Sequence, residues 1–239
     1  MALEKYKNLH LWLLIPFSIA VLGFMRSYYL NFTNASFGNH IHGLSATVWF
    51  MFVIVQPYLA THGQLKRHRL YGKIGMFLAG AVFASGLAMI PENIRFAQTD
   101  IDSWIAPDYF LYGVSLFDFI AISGFAGSVI MAIIKSKQID EHAIWMVSTV
   151  LWALMPAMAR FALLPVLWFG GSLNFAELAM IVTPSIVLTA GIIMYKLKRW
   201  HPAMLAVIIG HISVYLIIPF GNNQTWIDIA TKLFSFKQF

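Results

Sequence analysis

The chain has 239 residues, of which 59% are hydrophobic and only 11% are charged, and it contains no cysteine. About a quarter of the residues of an ordinary soluble protein are charged, so this composition argues against a soluble fold and is typical of a multi-pass membrane protein. The lack of cysteine excludes disulfides and thiolate ligands, so any metal would have to be bound by His, Asp, Glu or Met side chains.

Seven stretches are long and apolar enough to cross a bilayer, which requires about 20 mostly apolar residues. In chain order they cover residues 9–30, 42–61, 72–90, 108–134, 142–165, 175–195 and 202–220. The sequence therefore predicts an all-α protein with seven transmembrane helices, folded as a single domain over residues 1–239. Residues 222–239 alternate polar and apolar side chains at helical spacing, which predicts a tail that lies along the outer membrane interface.

The charged residues predict how the chain is oriented. Most lysines and arginines precede the first span or lie in every second loop: Lys5, Lys7, Lys66, Arg67, Arg69, Lys73, Lys135, Lys137, Lys196, Lys198 and Arg199. The opposite loops carry Glu92, Asp100, Asp102 and Asp108 with one arginine, Arg95. Because basic loops stay in the cytoplasm, we expect the N-terminus inside and the C-terminus outside a bacterial inner membrane. The same placement argues against nucleic acid as a partner.

The basic segment GQLKRHRLYGKIG, residues 63–75, stands between the second and third apolar stretches. Its position between two spans of full length favours a cytoplasmic turn over a nucleic-acid patch. The segment also contains His68, a candidate ligand within a basic neighbourhood.

Several polar residues fall inside the spans, where a charged group costs about 2.5–3.5 kcal/mol on insertion scales and usually faces the protein interior. Asp118 and His211 are the deepest, and Arg160 lies in the outer half of the fifth span. Helical spacing places other polar or aromatic residues on inward faces. The predicted ligand pocket consists of His42, Trp49, Gln56, Asp118, Trp152, Arg160, His211 and Tyr215.

Two histidines near the cytoplasmic helix ends, His68 and His142, are at a similar depth on different spans. Such a pair can coordinate a haem iron through both imidazoles. In this hypothesis Trp145 packs against the macrocycle or a quinone ring, and Arg69 pairs with a haem propionate. The two histidines are therefore the predicted metal ligands, and haem b or a quinone is the predicted cofactor.

Three segments, HIHGLSATVWFMFVIVQPYLA, HRLYGKIG and EHAIWMVSTVLWALMPAMARFALLP, resemble a family of predicted bacterial integral membrane proteins that carry domain of unknown function 2306. The resemblance covers about residues 38–165. It rests on His42, His68, Arg69, Gly72, His142, Trp145, Met146 and Arg160. It implies a polytopic helical membrane protein and supplies no mechanism. A much more distant similarity connects the chain to b-type membrane cytochromes, which also have histidines near helix ends.

The sequence leaves several functions open. The favoured one is a membrane redox protein that binds haem b or quinone and exchanges electrons with a redox partner. A transporter or proton-coupled carrier would use Asp118, Arg160 and His211. An enzyme acting on a lipid or isoprenoid would use Asp118 or His42 as general acid or base. An accessory subunit of a larger membrane complex would need no site of its own.

Overall fold

The computed structural model describes residues 3–99 and 103–234. Within these two ranges the chain is helical and has no β-strand. Seven of the helical segments are long and apolar enough to cross a membrane, which confirms the predicted fold class and number of spans. Asp100 and Asp102, two of the acidic residues named above, lie outside the described residues, and so do residues 235–239 of the predicted tail.

The α-helices of the described ranges are α1 (Leu9–Phe24), α2 (Phe37–Thr61), α3 (Leu65–Ala97), α4 (Asp108–Ile134), α5 (Ile139–Trp168), α6 (Phe175–Leu197), α7 (Pro202–Ile212), α8 (Ile217–Gly221) and α9 (Gln224–Phe234). A π-helical turn extends α1 to Tyr29, and a 3-10 turn joins α7 to α8. The seven spans are therefore α1 to α6 and the combined α7–α8 segment. We call the end of the bundle that carries loops 62–64, 135–138 and 198–201 the basic end.

The structure corrects the interpretation of the basic segment 63–75 as a turn. Gly63 follows the end of α2 with φ of 77°, and α3 begins two residues later at Leu65. Most of the segment is therefore the first part of a helix. Lysine, arginine and leucine favour helices, and the cationic side chains here are exposed: Lys66, Arg67 and Arg69. The charged residues interrupt the apolar pattern from which the span was predicted, but α3 continues through them.

Five helices pack in a closed circuit, in which each of α1 to α4 packs against the next helix and α5 returns to α1. The helix α6 packs on the outside of α5, and α7 lies between α6 and the pair α4 and α5. Helices in lipid approach closely where a small residue leaves room for a backbone. A Cβ added to Gly23 of α1 would lie 2.3 Å from the carbonyl oxygen of Ala157 on α5, so these two backbones are in contact.

The indole of Trp152 on α5 is wedged between α4 and α7. A Cβ added to Gly124 would lie 2.3 Å from this ring, and one added to Gly210 would lie 2.2 Å from it. The ring is 4% exposed, and its Nε1 donates to the hydroxyl of Ser128 at 3.2 Å. Two glycines on neighbouring helices thus provide the space for one large side chain.

At the basic end, His201 connects the beginnings of α5 and α7. Its Nδ1 accepts from the backbone N–H of Ala203 at 3.1 Å, so its Nε2 carries the proton and donates to Glu141 at 3.1 Å. Arg199 pairs with the same carboxylate. Burial lowers the pKa of His201 while Glu141 opposes this shift, and a neutral imidazole agrees with the observed bonding.

The tail helix α9 lies against α3 and α4 at the opposite end of the bundle. The indole Nε1 of Trp226 donates to the carbonyl of Tyr112 at 2.9 Å, and Ala230 is fully buried against Ile94 and Leu111. This packing accounts for the alternation of polar and apolar residues in the tail. Its position at the outer membrane interface stays a prediction.

Alanine substitutions at two glycines of α4 test whether the backbones of α4 and α8 are in contact. A Cβ on Gly113 would lie 1.9 Å from the carbonyl oxygen of Ile217, whereas a Cβ on Gly127 meets nothing within 4 Å. We expect Gly113→Ala to reduce the free energy of unfolding by about 1–3 kcal/mol through overpacking. Gly127→Ala serves as the control, and helix propensity would stabilise it by up to about 1 kcal/mol. Thermal unfolding of the detergent-purified variants measures both, and equal midpoints would contradict the proposed backbone contact.

Candidate functional site

The inward-facing polar residues form two clusters separated by aromatic side chains. The basic-end cluster consists of Gln56, His68 and His142. The arginine cluster, nearer the opposite end, consists of His42, Ser85, Asn93, Asp118 and Arg160. Since a polar side chain in a bilayer interior marks a candidate site, each cluster is considered separately.

The imidazoles of His68 and His142 are direct neighbours in the basic-end cluster. Their ring centroids are 6.2 Å apart, and their planes are almost perpendicular, at 89°. The Nδ1 of His142 is 2.8 Å from the carbonyl oxygen of Ala132, which can only accept a hydrogen bond. Nδ1 therefore carries the proton, and the Nε2 of His142 is left as a free acceptor.

Buried polar atoms without a protein partner are concentrated at the basic end. Among the described residues, four of the five such atoms are there: the Nδ1 of His10, the Nδ1 of His68, and both the Nε2 and the Oε1 of Gln56. The backbone of Gln56 interacts with the imidazole of His68, so the two residues are adjacent. Buried polar groups nearly always have a partner, and these atoms are therefore available to a ligand.

The other two residues predicted for this cofactor site have different surroundings. Arg69 is exposed at the beginning of α3, one residue from His68. Trp145 is 8% exposed, and its ring lies 5.7 Å from the ring of His201 at the beginning of α7. Within the described ranges no group of three or more His, Asp or Glu side chains is arranged to hold a metal ion. A metal at this end would therefore depend on two histidines.

An aromatic layer separates the two clusters. Trp49 is 2% exposed, stacks on Phe52 with ring centroids 5.4 Å apart, and meets Phe125 edge-on at 5.2 Å. Its indole Nε1 donates to the hydroxyl of Thr149 at 3.2 Å, which joins α2 to α5 across the circuit. A buried indole needs such a partner, so this hydrogen bond fixes the position of the largest side chain in the layer.

Arg160 is the centre of the arginine cluster. Its guanidinium carbon lies 4.7 Å from the ring centroid of Phe24 on α1 and 5.2 Å from that of Phe175 on α6. One of its Nη atoms donates to the carbonyl of Pro156 at 3.2 Å. Two aromatic rings therefore stabilise the cation, and the other N–H donors of the fork have no hydrogen bond to the described residues.

Asp118 and His42 are the other two ionisable members of this cluster, and neither is hydrogen-bonded to Arg160. The carboxylate of Asp118 accepts from the side-chain amide of Asn93 at 3.2 Å and interacts electrostatically with Arg160, but the two do not reach ion-pair distance. The Nδ1 of His42 is 3.3 Å from the hydroxyl of Ser85. The guanidinium thus interacts electrostatically with both the carboxylate of Asp118 and the imidazole of His42, without a direct hydrogen bond to either.

The structure places three of the predicted pocket residues on the α7 side of the bundle. His211 is fully buried, stacks on Trp152 with ring centroids 5.3 Å apart, and has its Nδ1 2.8 Å from the carbonyl of Val207. Tyr215 is 46% exposed and donates to the carbonyl of Met180 at 3.3 Å. Within the described ranges none of these three side chains makes a hydrogen bond with Arg160 or Asp118, or a ring contact with the guanidinium of Arg160.

The sequence analysis missed two members of the arginine cluster, Ser85 and Asn93, and the two aromatic residues beside Arg160, Phe24 and Phe175. Asn93 was overlooked because the third span was predicted to end at residue 90, whereas α3 continues to Ala97. Ser85 is a small polar residue within an apolar helix, and its spacing from the glycines gave no sign of its partner. Phe24 and Phe175 have no distinguishing pattern among 20 phenylalanines.

Comparisons of the chain with protein-family models, with curated proteins and with solved structures found no match. The resemblance to the bacterial membrane family therefore stays a prediction from the quoted segments. The function therefore has to be inferred from the geometry of the two clusters.

The hydrogen bond between Trp49 and Thr149 gives a test of the aromatic layer. Thr149→Val keeps the shape of the side chain but leaves the indole N–H buried without a partner, which we expect to cost about 1–3 kcal/mol. Thr189→Val is the matched control, because the hydroxyl of Thr189 is on an exposed surface of α6. Thermal unfolding measures the stability of both variants. Equal stability of Thr149→Val and Thr189→Val would show that the hydrogen bond from the Trp49 indole to Thr149 does not stabilise the fold.

Proposed function

We propose that this protein is a redox protein of the bacterial inner membrane that binds haem b between α3 and α5, with His68 and His142 as its two iron ligands. The observation that carries this proposal is the separation of their imidazole centroids, 6.2 Å. The two histidines belong to helices that are not consecutive in the circuit, so a ligand between them would connect opposite walls of the bundle.

The separation of the two rings agrees with coordination of a single metal. A metal held by both imidazoles at about 2 Å from each nitrogen would leave the two ring centroids roughly 6 Å apart. Each imidazole has one nitrogen without a hydrogen bond to the described residues, the Nδ1 of His68 and the Nε2 of His142, and these would be the two metal-binding atoms.

The surrounding residues would orient this ligand. The carbonyl of Ala132 fixes the tautomer and ring direction of His142, an arrangement usual for metal-binding histidines. Arg69, exposed beside His68, would pair with a propionate at the surface. When bound, haem b supplies one-electron transfer at a potential that the axial ligands and burial determine.

A quinone is the second candidate for the same cluster. Gln56 favours it, because both polar atoms of its amide are buried and unpaired. The side-chain amide N–H of Gln56 could donate to a carbonyl oxygen of a quinone ring, which has acceptors but no donor. Trp49 and Phe52 of the aromatic layer would limit how far the ring penetrates the bundle.

The predicted orientation supports a cofactor site near the cytoplasmic surface. The loops of the basic end carry the lysines and arginines listed above, and basic loops favour the cytoplasmic side. On this basis we propose that the N-terminus is inside, the C-terminus outside, and the basic-end cluster close to the cytoplasm. A cytoplasmic redox partner would then reach it without crossing the membrane.

Absorption spectroscopy tests the haem proposal. We expect protein purified after expression with excess haem to show a Soret band that shifts on addition of dithionite. His68→Gln and His142→Gln should each lose most of this signal, since each removes an axial ligand. His62→Gln is the matched control, because His62 is an exposed histidine at the same end. If the wild-type protein has no Soret band, the haem proposal is wrong, and a quinone in the lipid extract would favour the second candidate.

Cysteine labelling tests the orientation, and the natural chain contains no cysteine that would interfere. In intact spheroplasts we expect a membrane-impermeant maleimide to label Asn222→Cys, which follows α8, but not Lys7→Cys, which precedes α1. Permeabilisation should make Lys7→Cys reactive. Labelling of both variants from the same side would exclude an odd number of membrane crossings.

A further inference from the structure

We infer that the arginine cluster is a second ligand site, which binds an oxyanion, the carboxylate or phosphate group of an amphiphile, through Arg160. This site is distinct from the proposed haem site and lies on the other side of the aromatic layer. It does not depend on the identity of the cofactor at the basic end.

Arg160 has binding capacity that the protein leaves unused. A guanidinium has five N–H donors in one plane, and the only one bonded within the described residues donates to Pro156. Phe24 and Phe175 lie close to the cation, at 4.7 and 5.2 Å, and have no acceptor atoms. An intramembrane arginine usually pairs with an anion or with carbonyl groups, so the free donors indicate an anionic partner from outside the chain.

Asp118 is not the anionic partner of the free Arg160 donors. Its carboxylate is bonded to Asn93 and interacts with Arg160 only at a distance longer than an ion pair. An arginine binds a carboxylate or phosphate most strongly through two parallel hydrogen bonds. Because Asp118 makes no such contact, the bidentate edge of the guanidinium remains available to a ligand.

His42 adds a second polar contact for the bound group. Its Nδ1 is occupied by Ser85, and Ser85 is also 3.2 Å from the hydroxyl of Ser45, so these serines fix the imidazole. His42 lies close enough to Arg160 for the two to interact electrostatically. The Nε2 of His42 has no hydrogen bond to the described residues and can contact an oxygen of the head group.

The neighbourhood favours an amphiphile over a small hydrated ion. Beyond Arg160 on α5 the surface is apolar, with Phe161, Leu164 and Trp168 exposed by 40%, 37% and 85%. An acyl or isoprenoid chain could lie on this surface while its head group reaches Arg160. Because such a surface faces lipid in a membrane, an amphiphile dissolved in the bilayer can reach Arg160 without leaving the lipid, whereas a hydrated ion would first have to lose its water.

Binding of labelled oleate to the protein in phosphatidylcholine nanodiscs tests the inference. We expect oleate to bind and oleyl alcohol, which lacks the anion, to bind at least about tenfold more weakly. Arg160→Gln should lower the affinity for oleate by about tenfold or more. Arg26→Gln is the matched control, since Arg26 is an exposed arginine at the end of α1. Acetate and inorganic phosphate, used as competitors, show whether the free ion is an alternative occupant.

Three results would overturn the inference: equal binding of oleate and oleyl alcohol, no effect of Arg160→Gln, or equal effects of Arg160→Gln and Arg26→Gln. If Arg160→Gln does not fold, Asp118→Asn decides the question. Removal of a nearby negative charge, which repels the bound anion, should raise the affinity for oleate severalfold, and an unchanged affinity would contradict the site. The haem spectrum of each variant is recorded in parallel, so failure of one proposal is distinguishable from failure of the other.

Discussion

In the hydrocarbon of a membrane, a polar group must find its partner inside the protein, because neither water nor lipid supplies one. This constraint determines the arrangement of the helices here. One side of α2 carries His42, Trp49 and Gln56. Because this side faces inward, His42 reaches Ser85 on α3 and Trp49 reaches Thr149 on α5. The circuit of α1 to α5 is the packing that keeps this polar stripe away from lipid.

The number of spans and the inward helix faces could be predicted from the sequence, because hydropathy and a period of 3.6 residues depend only on local order. The helix ends could not. Lys66 and Arg67 interrupt the apolar pattern but favour helix, so α3 begins at Leu65, before the predicted start. At its other end α3 continues past residue 90 to Ala97, and Asn93 was missed for this second reason. Partners such as Ala132 and Phe175 required the packing of distant segments, which no local pattern encodes.

The aromatic layer makes the two clusters independent of each other. Trp49, Phe52 and Phe125 fill the centre of the circuit between them. The deep histidine, His211, belongs to neither, because its ring is enclosed by Trp152 and Phe117 on the α7 side. A continuous polar path through the bundle would have to displace the Trp49 indole and break its hydrogen bond. The present packing therefore favours two separate binding regions over one transmembrane channel.

The unpaired atoms of the basic-end cluster lower the stability of the ligand-free protein. A buried polar atom without a partner costs about 1–3 kcal/mol. A typical domain has a net stability of only about 5–15 kcal/mol, so the unpaired buried atoms of Gln56 and His68 are a substantial cost. A ligand that binds only the folded state would offset this cost. Arg160 differs, because it is only partly buried and two aromatic rings stabilise its charge, so its open donors bear on which ligand could bind rather than on stability.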